Sequence, residues 1–313
     1  MDALINVVFP VFAIVGLGYL SGVIKILGPE SAQALNRFVY YFALPPLLFM
    51  FTATTTVGEI FNGPFIFSYL LGTLITLCIA IGVSRFVFGE NLAIVSMFGF
   101  GAVFANSAYM GIPLFLTAFG EDGTLPAVVA TLASNIILIG AIIAALETTR
   151  AKGSSASRVM IEVSTTLIKN PILMAPLVGI VFSLLVWPVP RPLTNFFDLL
   201  GASAGPAALF ALGLSLVNKP LLGDLAEISW MVVLKLTVQP FFTFIMVYYV
   251  FELDPFWAKS AVILAALPSG AMVFVIAQQY NTMVNRAAAG VVASTALSLV
   301  SISVLLVVLG LEP

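Results

Sequence analysis

Apolar stretches long enough to cross a bilayer recur from residue 3 to residue 310, and the polar breaks between them are too short to hold a soluble domain. A helix needs roughly 20 apolar residues to cross about 30 Å of hydrocarbon. Ten segments meet that measure, near 3–24, 32–52, 65–87, 92–119, 124–147, 170–187, 195–217, 227–251, 256–280 and 286–310. The pattern predicts an all-α integral membrane protein with ten transmembrane helices. The only long polar interval, Thr148 to Lys169, contains Arg150-Ala-Lys152-Gly-Ser-Ser-Ala-Ser-Arg158 and reads as a short flexible linker. Residues 1–147 then hold five spans, 148–169 the linker, and 170–313 five more.

Composition agrees with a chain dissolved in lipid. It is 61% hydrophobic and 8% charged, where an ordinary soluble domain carries about 25% charged residues. The 12 basic residues form no stripe, which argues against nucleic acid as a partner. The single cysteine, Cys78, lies mid-way through an apolar run and reads as a small buried hydrophobe, so neither a disulfide nor a cysteine metal site is expected. Histidine is absent, which removes the usual general base, the commonest metal ligand and any Ser-His or Cys-His pair. No catalytic residue, metal or cofactor is assigned, and an enzyme is not expected. The start at Met1-Asp2 lacks a basic n-region and a small-residue cleavage site, so the first apolar run is expected to be a retained span.

Charge sets the expected orientation. Lys25, Arg37, Arg85, Arg150, Lys152, Arg158, Lys169, Lys219 and Arg286 fall on the linker's side, and only Arg191 and Lys259 fall opposite. Basic loops stay cytoplasmic. The linker is therefore predicted to be cytoplasmic and both termini non-cytoplasmic, in a cell (inner) membrane.

The two halves echo each other at a spacing of about 160 residues. Asn36-Arg-Phe38 and Pro45-Pro46-Leu-Leu-Phe49 in the second span face Asn195-Phe-Phe197 and Pro206-Ala-Ala-Leu-Phe210 in the seventh. Val128-Val-Ala-Thr-Leu-Ala-Ser134 in the fifth faces Val291-Val-Ala-Ser-Thr-Ala-Leu-Ser298 in the tenth. With five spans per half, the second half enters from the other side, which makes the repeats inverted. Two such halves supply two similar arrangements, one open to each side.

The fourth and ninth spans are interrupted in matching places. The fourth reads Asn106-Ser107-Ala-Tyr109-Met-Gly111-Ile-Pro113, and the ninth reads Leu-Pro268-Ser269-Gly270 before Gln278-Gln279-Tyr280. Proline removes a backbone donor and crowds the carbonyl four residues earlier. In the repeat register Asn106-Ser-Ala corresponds to Ser269-Gly-Ala. Unwound helices free backbone groups and expose half-helix ends that hold anions or cations, so a matched pair points to a transport site. The bland account is two proline kinks with hydroxyls bonded back to the backbone. Asn135 in the fifth span either faces the fourth-span break or joins two helices. Lys235 lies eight residues into its span, about 12 Å deep at 1.5 Å per residue. A lysine there costs about 2.5–3.5 kcal/mol, so it needs an anionic substrate, a helix C-terminus or backbone carbonyls as partner, unless it snorkels to headgroups. No Asp or Glu lies mid-span. A coupling ion would depend on neutral oxygens such as those of Thr131, Ser134 and Gln278, or on Lys235.

With ten spans, a basic central loop, the Asn-Ser-x-x-x-Gly-x-Pro break, Lys235-Leu-x-x-x-Pro240 and Leu-Pro268-Ser-Gly before Gln278-Gln-Tyr280, the chain resembles the auxin efflux carrier family, whose bacterial members include organic-acid permeases. The resemblance implies a scaffold domain (helices 1, 2, 6, 7) and a transport domain (helices 3–5, 8–10), with broken helices 4 and 9 crossing at the binding site. Carried onto this chain, the crossing falls at Asn106 and its neighbours and at Pro268-Ser269-Gly270. Plant auxin carriers place an asparagine on each crossover, whereas Ser269 occupies the second position here, which points away from auxin itself. Related bile acid sodium symporters use a glutamate near the second break, and this sequence has none there.

The reading is a secondary carrier of a small organic anion, a carboxylate by preference, in which the crossover domain alternates against the scaffold. Its substrate-binding residues are Asn106, Ser107, Tyr109, Gly111, Pro113, Asn135, Lys235, Pro268, Ser269 and Gly270. The alternatives are a sodium-coupled symporter of the bile acid type and a membrane sensor that does not transport. Expected partners are the anion, the lipid bilayer and, where transport is coupled, sodium or a proton. A homodimer is compatible with the sequence.

Overall fold

The computed structural model describes residues 9–121, 123–150, 156–217 and 224–309. Met1-Asp2, the start of the first expected span, the last residue of the tenth, Lys152, Lys219 and linker residues 151–155 lie outside the described residues. Among those described, the chain is helical, with a single isolated backbone bridge and no strand.

In chain order the helices are α1 (Phe9–Val23), α2 (Pro29–Thr54), α3 (Val57–Val87, with a turn at Phe61-Asn62), α4 (Leu92–Val103), α5 (Ser107–Phe119) and α6 (Leu125–Thr149). After these come α7 (Ala156–Ile168), α8 (Pro171–Leu184), α9 (Arg191–Ser215), α10 (Leu225–Val250), α11 (Pro255–Ala265), α12 (Met272–Gln279) and α13 (Val284–Val308). Six of them, α2, α3, α6, α9, α10 and α13, are long and apolar enough to cross a membrane. The bent pair α7–α8, angled by 71°, makes a seventh if taken as one span. Large apolar side chains such as Phe86, Val186, Leu199 and Tyr249 face outward. Water would reject that surface and acyl chains accept it, so this is an integral membrane protein.

Helix starts follow local chemistry. Asn91, Asn170 and Asp254 each accept a hydrogen bond from a backbone N–H two residues on, and Pro171 and Pro255 occupy first helical positions where no donor is needed. Prolines inside the long helices have another effect. The turns Val39–Ala43, Ser107–Gly111 and Leu234–Val238 are π-helical and end two residues before Pro45, Pro113 and Pro240. Widening the turn relieves the clash between the proline ring and the carbonyl four residues back. Pro113 therefore widens a helix that continues through it; the interruption itself lies upstream, at Phe104–Asn106.

Two other expectations are corrected. The interval read as a flexible linker is helical over α7, whose Val163 and Leu167 pack inward while Met160, Ile161 and Ile168 are exposed. Cys78 is exposed on α3 rather than buried, at an outward position where the solvent is lipid.

Two helix pairs pack most closely. α1 lies against the second half of α9, and α8 against the second half of α2. The α1–α9 contact is backbone to backbone: a Cβ at Gly18 would overlap the Phe210 carbonyl, and one at Gly213 the Val15 carbonyl. Small residues allow such close approach in lipid, where burying apolar area drives nothing. The interrupted helices pack with α3, α6, α10 and α13, and α5 also lies against α9. At one end of the bundle Arg286 joins Glu90, at 2.8 Å, and Glu227. The guanidinium holds the Glu90 carboxyl below its ordinary value.

Candidate functional site

The two interruptions meet. α4 ends at Val103 and α11 at Ala265, and the extended segments that follow pair antiparallel through Ala105 and Ser269. The Asn106 N–H donates to the Pro268 carbonyl at 2.8 Å, and the Gly270 N–H donates to the Phe104 carbonyl at 2.8 Å. Unwound backbone in lipid must find internal partners; here each break satisfies the other. Ser269 locks the junction further. Its hydroxyl donates to the Gly101 carbonyl at 2.7 Å, and its N–H to Ser294 Oγ at 3.1 Å.

Beside the bridge lies a cavity of about 90 Å³ lined by residues 104–109, by Thr131, Ser134 and Asn135 of α6, and by Ala271, Met272 and Val275. Tyr40 of α2 and Asn170 and Ile172 at the start of α8 complete the wall. α5 and α12 both begin here. A helix start carries unpaired N–H groups and roughly half a positive charge, so two such ends favour an anion. Asn106 and Ser107 are buried, yet Asn106 Nδ2 makes no hydrogen bond within the protein. The Tyr69 hydroxyl lies against Ser107 and Ser134. Unpaired buried donors are costly and mark groups held for a ligand or water.

The cavity thus gathers Asn106, Ser107, Tyr109, Thr131, Ser134 and Asn135 from the residues singled out in the sequence. The Thr131 hydroxyl donates to the Ala127 carbonyl. Pro268, Ser269 and Gly270 form the bridge behind the cavity rather than lining it. Gly111 faces Leu264 and Leu267, and Pro113 lines a second cavity of about 300 Å³ between α1, α2, α5 and α9, whose wall also carries Glu121 and Asp198. Gln278 is exposed near the end of α12. Lys235 is fully buried outside the cavity wall, and its Nζ donates to the Ala265 carbonyl at 2.7 Å. Of the partners considered for Lys235, the structure selects a helix C-terminus.

Tyr40 and Asn170 did not stand out in the sequence. The Tyr40 hydroxyl donates to Asn170 Oδ1 at 3.2 Å, and the same oxygen accepts from the Ile172 N–H at 3.0 Å. An Asn-Pro pair before an apolar run signals only a helix cap, and Asn170 is that as well. Nothing local marks either residue as part of a wall assembled from distant helices. The Tyr109 hydroxyl, donating to the Asn36 carbonyl at 3.4 Å, ties α5 to α2.

The profile of a family described as "Membrane transport protein" matches residues 3–306. A Rhizobium meliloti (strain 1021) protein named "Putative malonate transporter" is 30% identical over 98% of this chain and 96% of its own length. "Uncharacterized transporter YfdV" of Escherichia coli (strain K12) is 23% identical over 91% of each chain. "Auxin efflux carrier component 8" of Arabidopsis thaliana is 23% identical over 92% of each.

Proposed function

The chain belongs to the membrane transport protein family, a family of transporters and not of enzymes, and from that premise we propose that it is a secondary carrier of a small organic anion, a short carboxylate. The observation that carries the reading is the cavity beside the bridge, where two helix N-termini and the unpaired Asn106 amide converge. Carboxylate oxygens accept hydrogen bonds, and donors are what this wall offers. Drug-sized ligands occupy pockets of about 300–1,000 Å³, so a cavity of about 90 Å³ suits a cargo of only a few heavy atoms. The named function of the Rhizobium relative makes malonate the first probe.

Transport would proceed by alternating access, with ten spans arranged as two inverted halves, residues 1–147 and 170–313, joined by 148–169. α1, α2, α8 and α9 form the scaffold in this reading, supported by their close mutual packing, and α3–α6 with α10–α13 form the moving crossover domain. The cavity wall draws on both groups, so sliding one against the other would open or close it. Tyr40 and Asn170 stand at the linker end. The larger cavity bearing Glu121 and Asp198 stands between the same two groups at the opposite end and is assigned to the other side's approach. By the positive-inside argument the linker end is cytoplasmic and the membrane is the cell's inner one.

Proteoliposomes test this directly. Saturable uptake of labelled malonate or another short carboxylate, accelerated by unlabelled anion on the far side, is the expected result. Flux without counterflow would make the protein a channel, and neither binding nor flux across a panel of short carboxylates would end the anion reading.

A further inference from the structure

One face of α10 reaches both of the helix ends that run into the crossing. Lys235 and Gln239 are one turn apart, at positions that share a helix face, and both are fully buried. Lys235 Nζ donates to the carbonyl of Ala265, the last residue of α11, at 2.7 Å. Gln239 Nε2 donates to the carbonyl of Val103, the last residue of α4, at 3.1 Å, and to Thr73 Oγ1 at 3.1 Å. α4 and α11 are the incoming half-helices, whose ends carry orphan carbonyls and partial negative charge. In broken-helix transporters such carbonyls are where a dehydrated monovalent cation is coordinated. Here the protein's own donors occupy them.

We propose that Lys235 and Gln239 stand in place of a bound coupling cation: the ammonium supplies the fixed countercharge at the crossing, and the carrier takes its anion without sodium or potassium. This rests on the crossing being the anion site. Three features support it. The Lys235 side chain is fully buried, and a lysine charge in a membrane core is costly unless it is used. Its donor ends on one freed carbonyl while its neighbour one turn away ends on the other, so a single helix supplies a donor to both ends. Gln239 Oε1 is buried without a hydrogen-bond partner, which leaves an acceptor on the same face for a cation if the ammonium is removed. Lys235 is on this account a positioning and charge-balancing residue, not a substrate contact.

The test uses the purified full-length protein, with sodium, potassium or methylammonium chloride titrated against N-methylglucamine chloride. Melting temperature is read without any anion, then malonate affinity is measured. The wild type is expected to melt at the same temperature in every salt and to bind malonate within about twofold with or without sodium, because its cation site is already filled. Lys235→Ala and Lys235→Gln are expected to melt lower, to be raised again by sodium or methylammonium, and to bind malonate about tenfold more weakly until a cation is supplied. Lys235→Arg should stay cation-independent. A wild type stabilised by sodium or potassium overturns the proposal, and so does a folded Lys235→Gln protein that no cation stabilises. If Lys235→Ala does not fold, Lys235→Gln and the wild-type titration decide. Because the melting readout needs no anion, failure of malonate to bind counts against the carrier reading alone.

Discussion

The two breaks meet at one crossing and stand in opposite hydrogen-bonding states. At the first, Asn106 and Ser107 are buried with the Asn106 amide nitrogen unpaired, and both line the cavity. At the second, Ser269 is bonded through its hydroxyl and its N–H, the preceding helix end is held by Lys235, and Gly270 lies under the Phe104 ring. One break is saturated by the protein and the other is left wanting. A lipid-embedded core tolerates unpaired donors only where something else supplies acceptors. The asymmetry teaches that similar interruptions divide the work: the second fixes the crossing, and the first lines the cavity.

Substitutions at the two breaks should separate those roles. Asn106→Ala removes a donor worth about 1.5–3 kcal/mol to a charged ligand, so malonate affinity should fall about 10- to 100-fold. Its melting temperature should hold or rise, because the lost amide nitrogen bonds nothing in the protein. Titration calorimetry beside a thermal melt checks both, and unchanged affinity would remove Asn106 from the site. Gly270→Ala is expected to destabilise by about 1–3 kcal/mol through overpacking, since its Cβ would stand 2.9 Å from Phe104 Cδ1. A melt equal to wild type would show that the ring has room to turn.

Ser269→Ala strips the Gly101 carbonyl of its donor and should cost about 1–2 kcal/mol of stability while leaving malonate affinity within about threefold. Were affinity to collapse with stability intact, the second break would also read the cargo and the contrast would fail. Tyr40→Phe is the mildest change. It deletes one hydrogen bond, to Asn170, worth about 0.5–1.5 kcal/mol, and is expected to lower the melting temperature slightly and raise the uptake KM a few-fold in proteoliposomes.

Much of this was legible in the residues. Apolar runs announce helices in lipid whatever their neighbours, because each span must satisfy its own backbone bonds. Pro268 with Gly270 marks the second break correctly. Pro113 misleads about the first, because a π-turn absorbs that proline and the chain unwinds at Phe104–Asn106 instead. Lys235 was recognisable as a buried charge in need of a partner, but its partner is a carbonyl thirty residues away in sequence. Gln239, Tyr40 and Asn170 carried no signal, since each acts through helices that only folding brings near. The linker's helical character was hidden by its polar start at Arg150–Arg158; the apolar positions of α7 make sense only once α6 lies beside them.

The sequence by itself determined the solvent, the helical class, the interruption of two spans and the absence of histidine chemistry, because these follow from local hydrophobicity and residue type. Only the tertiary structure decided which polar groups remain free. Satisfaction is a pairwise property: Asn106 and Ser269 are equally polar on the page, and it is the placement of Gly101, Ser294 and the cavity around them that saturates one and leaves the other open.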